Sequence, residues 1–111
     1  MWVLAMFDLP VDSNVARRGY AQFRMHLLKE GFLMLQLSVY GRYCGSEERA
    51  NICRKRIREA LPPEGEVRVL AITDRQYGKM EVFTGTKRHR PEQPPAQLML
   101  FCWILLTRTP C

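Results

Sequence analysis

Six apolar residues, Trp2 to Phe7, run without alternation from near the start of the chain and stop at a carboxylate, Asp8. An unbroken apolar run this short suits a central strand buried on both faces, although pattern alone does not separate it from a buried helix segment. Pro10 disfavours helix through Asp8 and Leu9. Asp8 is therefore placed at the carboxyl end of a central strand, where sheets of α/β type hold their ligands. The plainer reading is an Asp that accepts backbone hydrogen bonds in the turn that follows.

After Asp8, Asp12, Ser13 or Asn14 is positioned to cap a helix that runs to about Glu30 and stops at Gly31. Ala16, Tyr20, Phe23 and Leu27 fall on one stripe at helical spacing, with Arg17, Arg18, Arg24 and Lys29 off it. From Phe32 to Cys44 the pattern alternates as a strand does. Leu33, Leu35, Leu37 and Val39 share one face, expected to be core beneath the helices. Phe32, Met34, Gln36, Ser38 and Tyr40 share the other, mixed in character as a face that meets another subunit would be. The run is long for one strand, and a fold-back near Gln36 to Ser38 would split it in two.

Ser46 caps a second predicted helix, with Glu47 and Glu48 in its first turn. Ala50, Cys53, Ile57, Ala60 and Leu61 make its apolar stripe, and Pro62, Pro63 and Gly65 end it. Residues 67–73 read as a strand, 74–79 as a loop and 80–84 as another strand. Residues 85–96 turn polar, basic and proline-rich and read as a linker. Beyond them Gln97 to Leu106 are ten mostly apolar residues, far too short to span a bilayer, and read as a strand in need of a sheet edge. The order predicts an α+β sandwich, and with the fold-back a ferredoxin-like βαββαβ arrangement with an extra C-terminal edge strand. The expected division is a domain over 1–84 and a basic linker with edge strand over 85–111.

Charge adds a partner class. Seventeen Lys and Arg against eleven Asp and Glu give a net +6 and a pI near 9.5, a surplus that favours a polyanion, most simply nucleic acid. Cys44, Cys53, Cys102 and Cys111 make no C-x-x-C, and His26 and His89 are the only histidines, so neither a zinc site nor a disulfide framework is indicated. With the chain opening straight into its first strand, no signal peptide is expected and the cytoplasm is the expected compartment.

Candidate chemistry is narrow. There is no glycine-rich phosphate loop and no spaced carboxylate pair of the metal-binding sort. His26 is mid-helix, read as a helix-surface residue, and His89 lies in the linker. One route needs two copies: across a two-fold axis near the strand ends, Asp8 meets its symmetry mate, and a cation between them relieves their repulsion. Magnesium, with oxygen ligands and retained waters, suits such a site. Arg17 and Arg18 open the first helix only nine residues on and are candidates to hold phosphate there. On the second helix Arg49, Arg54, Lys55, Arg56 and Arg58 make either a solvated or a phosphate-contacting face, with Arg54, Lys55 and Arg58 taken as nucleic-acid candidates. Tyr40, Tyr43 and Tyr77 read as packing before base stacking.

Several motifs lie together in order: F-D-L-P at 7–10, R-R-G-Y at 17–20, F-R at 23–24, G-F-L-M-L-Q-L-S-V-Y at 31–40, L-P-P-E-G at 61–65 and T-D-R-Q-Y-G-K-M-E at 73–81. Through them the chain resembles the CRISPR-associated protein two family, the small core proteins of CRISPR adaptation, over about residues 1–85. The resemblance implies a ferredoxin-like protomer, a homodimer packed through its sheets, and a C-terminal strand that completes a sheet edge at the dimer. It places the family's strand-end aspartate, metal ligand of a magnesium-dependent endoribonuclease or duplex-DNA nuclease, at Asp8. It equally implies an adaptor that bridges the CRISPR integrase subunit and holds spacer DNA without chemistry at Asp8. The chain departs from the family at Gly41, where many members carry an acid, and in the tail from Cys102 to Cys111.

Overall fold

The structure is a computed structural model and describes residues 1–94. The chain divides into two compact units, Met1–Ile72 and one beginning at Thr73. The expected C-terminal edge strand lies outside the described residues.

The first unit holds β1 (Trp2–Asp8), α1 (Asn14–Lys29), β2 (Leu33–Gln36), β3 (Val39–Tyr43), α2 (Glu47–Glu59) and β4 (Glu66–Ile72). Its strands make one antiparallel sheet in the order β2-β3-β1-β4, the ferredoxin-like α+β arrangement, with β1 central as its apolar run predicted. Both helices begin where the capping residues stand. Ser13 accepts from the Ala16 amide at 3.0 Å, and Ser46 accepts from the Arg49 amide at 3.3 Å.

The helices cover one sheet face. Val3, Ala5, Phe7 and Leu9 of the β1 segment meet Phe23 and Leu27 of α1 and Ala50, Cys53 and Ile57 of α2, with Phe32, Tyr40 and Cys44 closing the same core. Phe7 stacks on Tyr40 and meets Phe23 edge-on, with ring centroids 5.6 and 5.2 Å apart. The Tyr40 hydroxyl, its one polar atom there, accepts from Arg24 Nε at 2.8 Å.

The fold-back occurs: β2 and β3 are joined at Leu37 and Ser38, and Ser38 takes the left-handed conformation at φ 63°. The expected face assignment is overturned by it. Tyr40 and Phe32 are the core residues at 1% and 2% exposure, while Leu33 and Leu37 are open at 52% and 82%. A period-two pattern holds only along a continuous strand. Here the register slips between Met34 and Gln36 and the turn reverses the chain, so residues before and after it do not keep their common face. Leu61, placed on the α2 stripe, is likewise exposed, because the helix ends at Glu59 with Ala60 as its cap.

In the second unit, Asp74–Gly78 forms a short helix, α3, where a loop was expected. A capping box explains it: the Thr73 side chain accepts from the Gln76 amide at 3.1 Å and the Gln76 side chain accepts from the Thr73 amide at 2.9 Å. Val82–Thr84 (β5) pairs with Lys87–His89 (β6), so the first residues of the expected linker form a hairpin about Gly85, whose φ is 63°. The buried Tyr77 hydroxyl donates to Glu92 at 2.7 Å, and burial together with that carboxylate pushes its phenol well above the usual range. No described helix is long and apolar enough to cross a membrane.

Candidate functional site

Asp8 is the last residue of β1 and its one exposed residue, the rest being buried or, at Met6, partly buried. Its backbone is held from both sides. The Phe7 amide donates to the Ser38 carbonyl at 3.0 Å, and β4 pairs with β1 as far as Glu66 opposite Asp8. Gly65, at φ +91°, brings the α2–β4 turn onto the same point: a Cβ there would stand 2.6 Å from the Asp8 carbonyl and 3.0 Å from Leu9 Cα. Only glycine fits that approach, which accounts for the glycine of L-P-P-E-G in packing terms.

The side chain is less constrained than the backbone. Among the described residues the Asp8 carboxylate makes no ion pair, and Glu66 opposite it is 3.5 Å from Arg68. No group of three His, Cys, Asp or Glu able to hold a metal occurs among the described residues. One protomer thus offers a hard oxygen donor at an exposed strand end. That donor suits magnesium, which keeps most of its waters, if a second copy supplies the opposing carboxylate.

The flanking arginines part company. Arg17 Nη1 donates to the Val11 carbonyl at 3.1 Å and Nη2 donates to Asn14 Oδ1, so its guanidinium lies over the β1–α1 turn that leaves Asp8. Arg18 instead lines an open groove of about 360 Å³ along α1 with Met25, His26 and Lys29. Beside the Asp8 turn is a smaller apolar hollow of about 170 Å³ walled by Leu9, Pro10, Tyr20 and Pro62.

On α2, Arg54, Lys55 and Arg58 are all exposed, with Arg54 donating to Asn51 on its own helix. Arg56 is not part of that set, since its Nη1 is 2.9 Å from Glu30 Oε2 and ties α2 to the end of α1. That carboxylate raises the Arg56 guanidinium above its ordinary value. His26, expected on the helix surface, lies part-exposed with Nε2 3.2 Å from the Arg56 carbonyl, one of the last four of α2. Two further constellations escaped sequence reasoning: Arg24 on Tyr40, and Arg42 with Cys44 and Cys53. No spacing rule marks either, because their partners come together only through the β3–α2 turn and the sheet.

Gly41 has a structural reason. A Cβ there would come 2.9 Å from Leu35 Cδ1 and 3.1 Å from Leu4 Cδ2, so the leucines occupy the room an acidic side chain would need.

Fold and site together define a small basic ferredoxin-like protein with an exposed carboxylate ending its central strand. The family described as CRISPR associated protein Cas2 matches residues 1–80. A CRISPR-associated endoribonuclease Cas2 of Parvibaculum lavamentivorans is 52% identical over 101 residues, 91% of this chain and 100% of the relative. Those of Flavobacterium psychrophilum and Rhodospirillum rubrum are 45% and 42% identical, each over 91% of this chain, and 88% and 94% of the relatives are covered. The chain belongs to the CRISPR associated protein Cas2 family.

Proposed function

We propose that this protein acts in CRISPR defence as a homodimeric, magnesium-dependent nuclease of the spacer-acquisition machinery, working at a site made of two Asp8 residues. The observation that carries the reading is Asp8 itself: an exposed carboxylate whose backbone is clamped by Ser38, Glu66 and Gly65 while its side chain has no ion-pair partner among the described residues. The names of the relatives, endoribonucleases, support hydrolysis of a phosphodiester. When bound, magnesium supplies Lewis-acid stabilisation of charge on the phosphate. Asp8 of each protomer holds the cation, and Arg17 at the adjoining turn, with the start of α1, attracts phosphate. The sheet face that carries Leu33 and Leu70, both about half exposed, is the surface through which the two copies pack.

The test compares wild-type protein with Asp8→Ala on RNA and on duplex DNA, with magnesium and with EDTA. Cleavage is expected to fall at least about 100-fold in the variant and in EDTA, the scale of a lost charge-stabilising group, with the dimer intact by sedimentation. Wild-type cleavage by Asp8→Ala overturns the reading.

A second reading is favoured by the exposed Arg54, Lys55 and Arg58 and the +6 charge: a non-catalytic adaptor that grips duplex DNA by its backbone and bridges the CRISPR integrase. Its affinity should fall with salt on a log–log slope that tracks the phosphates neutralised, and its integration activity should survive Asp8→Ala.

A further inference from the structure

β3 ends at Tyr43, and the chain turns through Cys44, Gly45 and Ser46 into α2. The turn sets Cys44 beside the buried stripe of the helix that follows it, where Cys53 stands. Their Sγ atoms are 3.3 Å apart, Cys44 donating to Cys53, and both residues are buried, free thiols. Most of the core cluster is hydrocarbon, so two sulfurs in contact mark a distinct chemical spot in it.

A third group makes it more than packing. Arg42 Nη1 donates to Cys53 Sγ at 3.2 Å, and the Arg42 carbonyl accepts from the Cys44 thiol at 3.6 Å. Among the described residues Arg42 pairs with no carboxylate. A guanidinium committed to sulfur is the environment that favours a thiolate.

We propose that Cys44 and Cys53 form an oxidative modification site that takes a hydroperoxide and closes reversibly to an intramolecular disulfide. The two sulfurs have separate roles. Cys53 is the attacking group: the hydrogen bond from Cys44 and the charge of Arg42 hold its thiol down to about 6, against burial and the charge of Glu30, with Arg56 adding to the lowering. Cys44 is the resolving group, kept protonated chiefly by its hydrogen bond to Cys53 and by burial, with Arg42 and the amino terminus acting in the opposite sense.

In the first step the Cys53 thiolate attacks a peroxide oxygen and the O–O bond breaks. Cys53 becomes a sulfenic acid, and the hydroxide released takes up the proton that Cys53 had lost. Cys44 sulfur then attacks Cys53 sulfur; the S–S bond forms, the S–O bond breaks, and water leaves with the Cys44 proton. Two thiols and one hydrogen peroxide give one disulfide and two waters, so the sulfur pair loses two electrons and the peroxide gains two. The product staples the end of β3 to α2, and a dithiol reductant reverses it.

The experiment uses full-length protein carrying Cys102→Ser and Cys111→Ser, treated with hydrogen peroxide near neutral pH. Intact mass should drop by two hydrogens, both remaining thiols should disappear from titration, and a non-reduced peptide map should join Cys44 to Cys53. Dithiothreitol should restore both thiols, and the oxidised form should unfold roughly 10 °C higher. Cys44→Ser should leave a Cys53 sulfenic acid that dimedone traps. Arg42→Met should slow oxidation at neutral pH by roughly tenfold and move the midpoint of its pH profile upward, a shift that altered packing alone does not produce. Two surviving thiols after excess peroxide, cross-linking between chains instead of within them, or an unchanged pH midpoint in Arg42→Met would each overturn the proposal.

Discussion

The two faces of the sheet share the same strands and meet opposite fates. On one, Val3, Ala5 and Phe7 of β1 and Val67, Val69 and Ala71 of β4 close against α1 and α2 into a core with no unsatisfied buried side-chain polar atom. On the other, the cross-strand row Leu33, Gly41, Leu4 and Leu70 runs over all four strands, outside that core. Leu33 and Leu70 are about half exposed there, yet Leu4 and Gly41 in the middle are buried. The first face is packed by α1 and α2, whereas the second is mixed, its edge leucines half exposed while Trp2 on the same face of β1 is buried. Exposed apolar side chains grouped on a sheet face mark an interaction surface rather than a defect. The contrast places protomer stability on the helix-covered face, and the proposed dimer draws on the half-exposed leucines of the other.

That assignment can be broken at several points, ranked by expected loss of stability. Gly41→Asp should cost most, about 3–5 kcal/mol in denaturant unfolding, since its Cβ meets Leu35 and Leu4 and its carboxylate would be buried without a partner. A near-neutral result would show that the second face is looser than its central residues indicate. Ile57→Ala, wholly buried beneath α2, should cost about 3 kcal/mol and leave the association state untouched. Gly65→Ala should cost about 2–3 kcal/mol, because left-handed strain adds to a clash with the Asp8 carbonyl. Gly45→Ala, at φ +78° with only Arg49 Cδ at 4.0 Å, is the control for strain alone and should cost about 1 kcal/mol. Cleavage should fall further in Gly65→Ala than in Gly45→Ala at matched folded fraction. Leu70→Arg, already half exposed, should change protomer stability by less than about 0.5 kcal/mol while shifting sedimentation toward the monomer. A Leu70→Arg protein that still sediments as a dimer would take the second face out of assembly.

Much of the fold was legible because its signals are local. The unbroken run of β1, the serine caps of α1 and α2, and the stripe of Phe23 and Leu27 each depend on residues within a turn or two of one another. The capping box of α3 was equally local, Thr73 followed three residues later by Gln76, and a scan for that spacing would have found the helix. The basic hairpin strand at 87–89 carries no apolar residue, so no periodicity could announce it. Of the candidate site, the chain order placed Asp8 at a strand end and Arg17 near it. Whether Arg18 faced the same way was a matter of helix geometry, and it does not.

By itself, then, the sequence determined the elements of the first unit, the caps of α1 and α2 and the central place of β1, which follow from short-range spacing, and its ordered motifs carried the resemblance to the family. Tertiary structure alone decided which face each residue of 33–40 presents, because a left-handed Ser38 and a slipped register undo the alternation that spacing assumes. It alone decided that Gly65 seats against Asp8 and that Arg42, Cys44 and Cys53 share one point. Those contacts form only when a turn brings distant segments together, and their energies depend on distance and burial, which the order of residues along the chain does not contain.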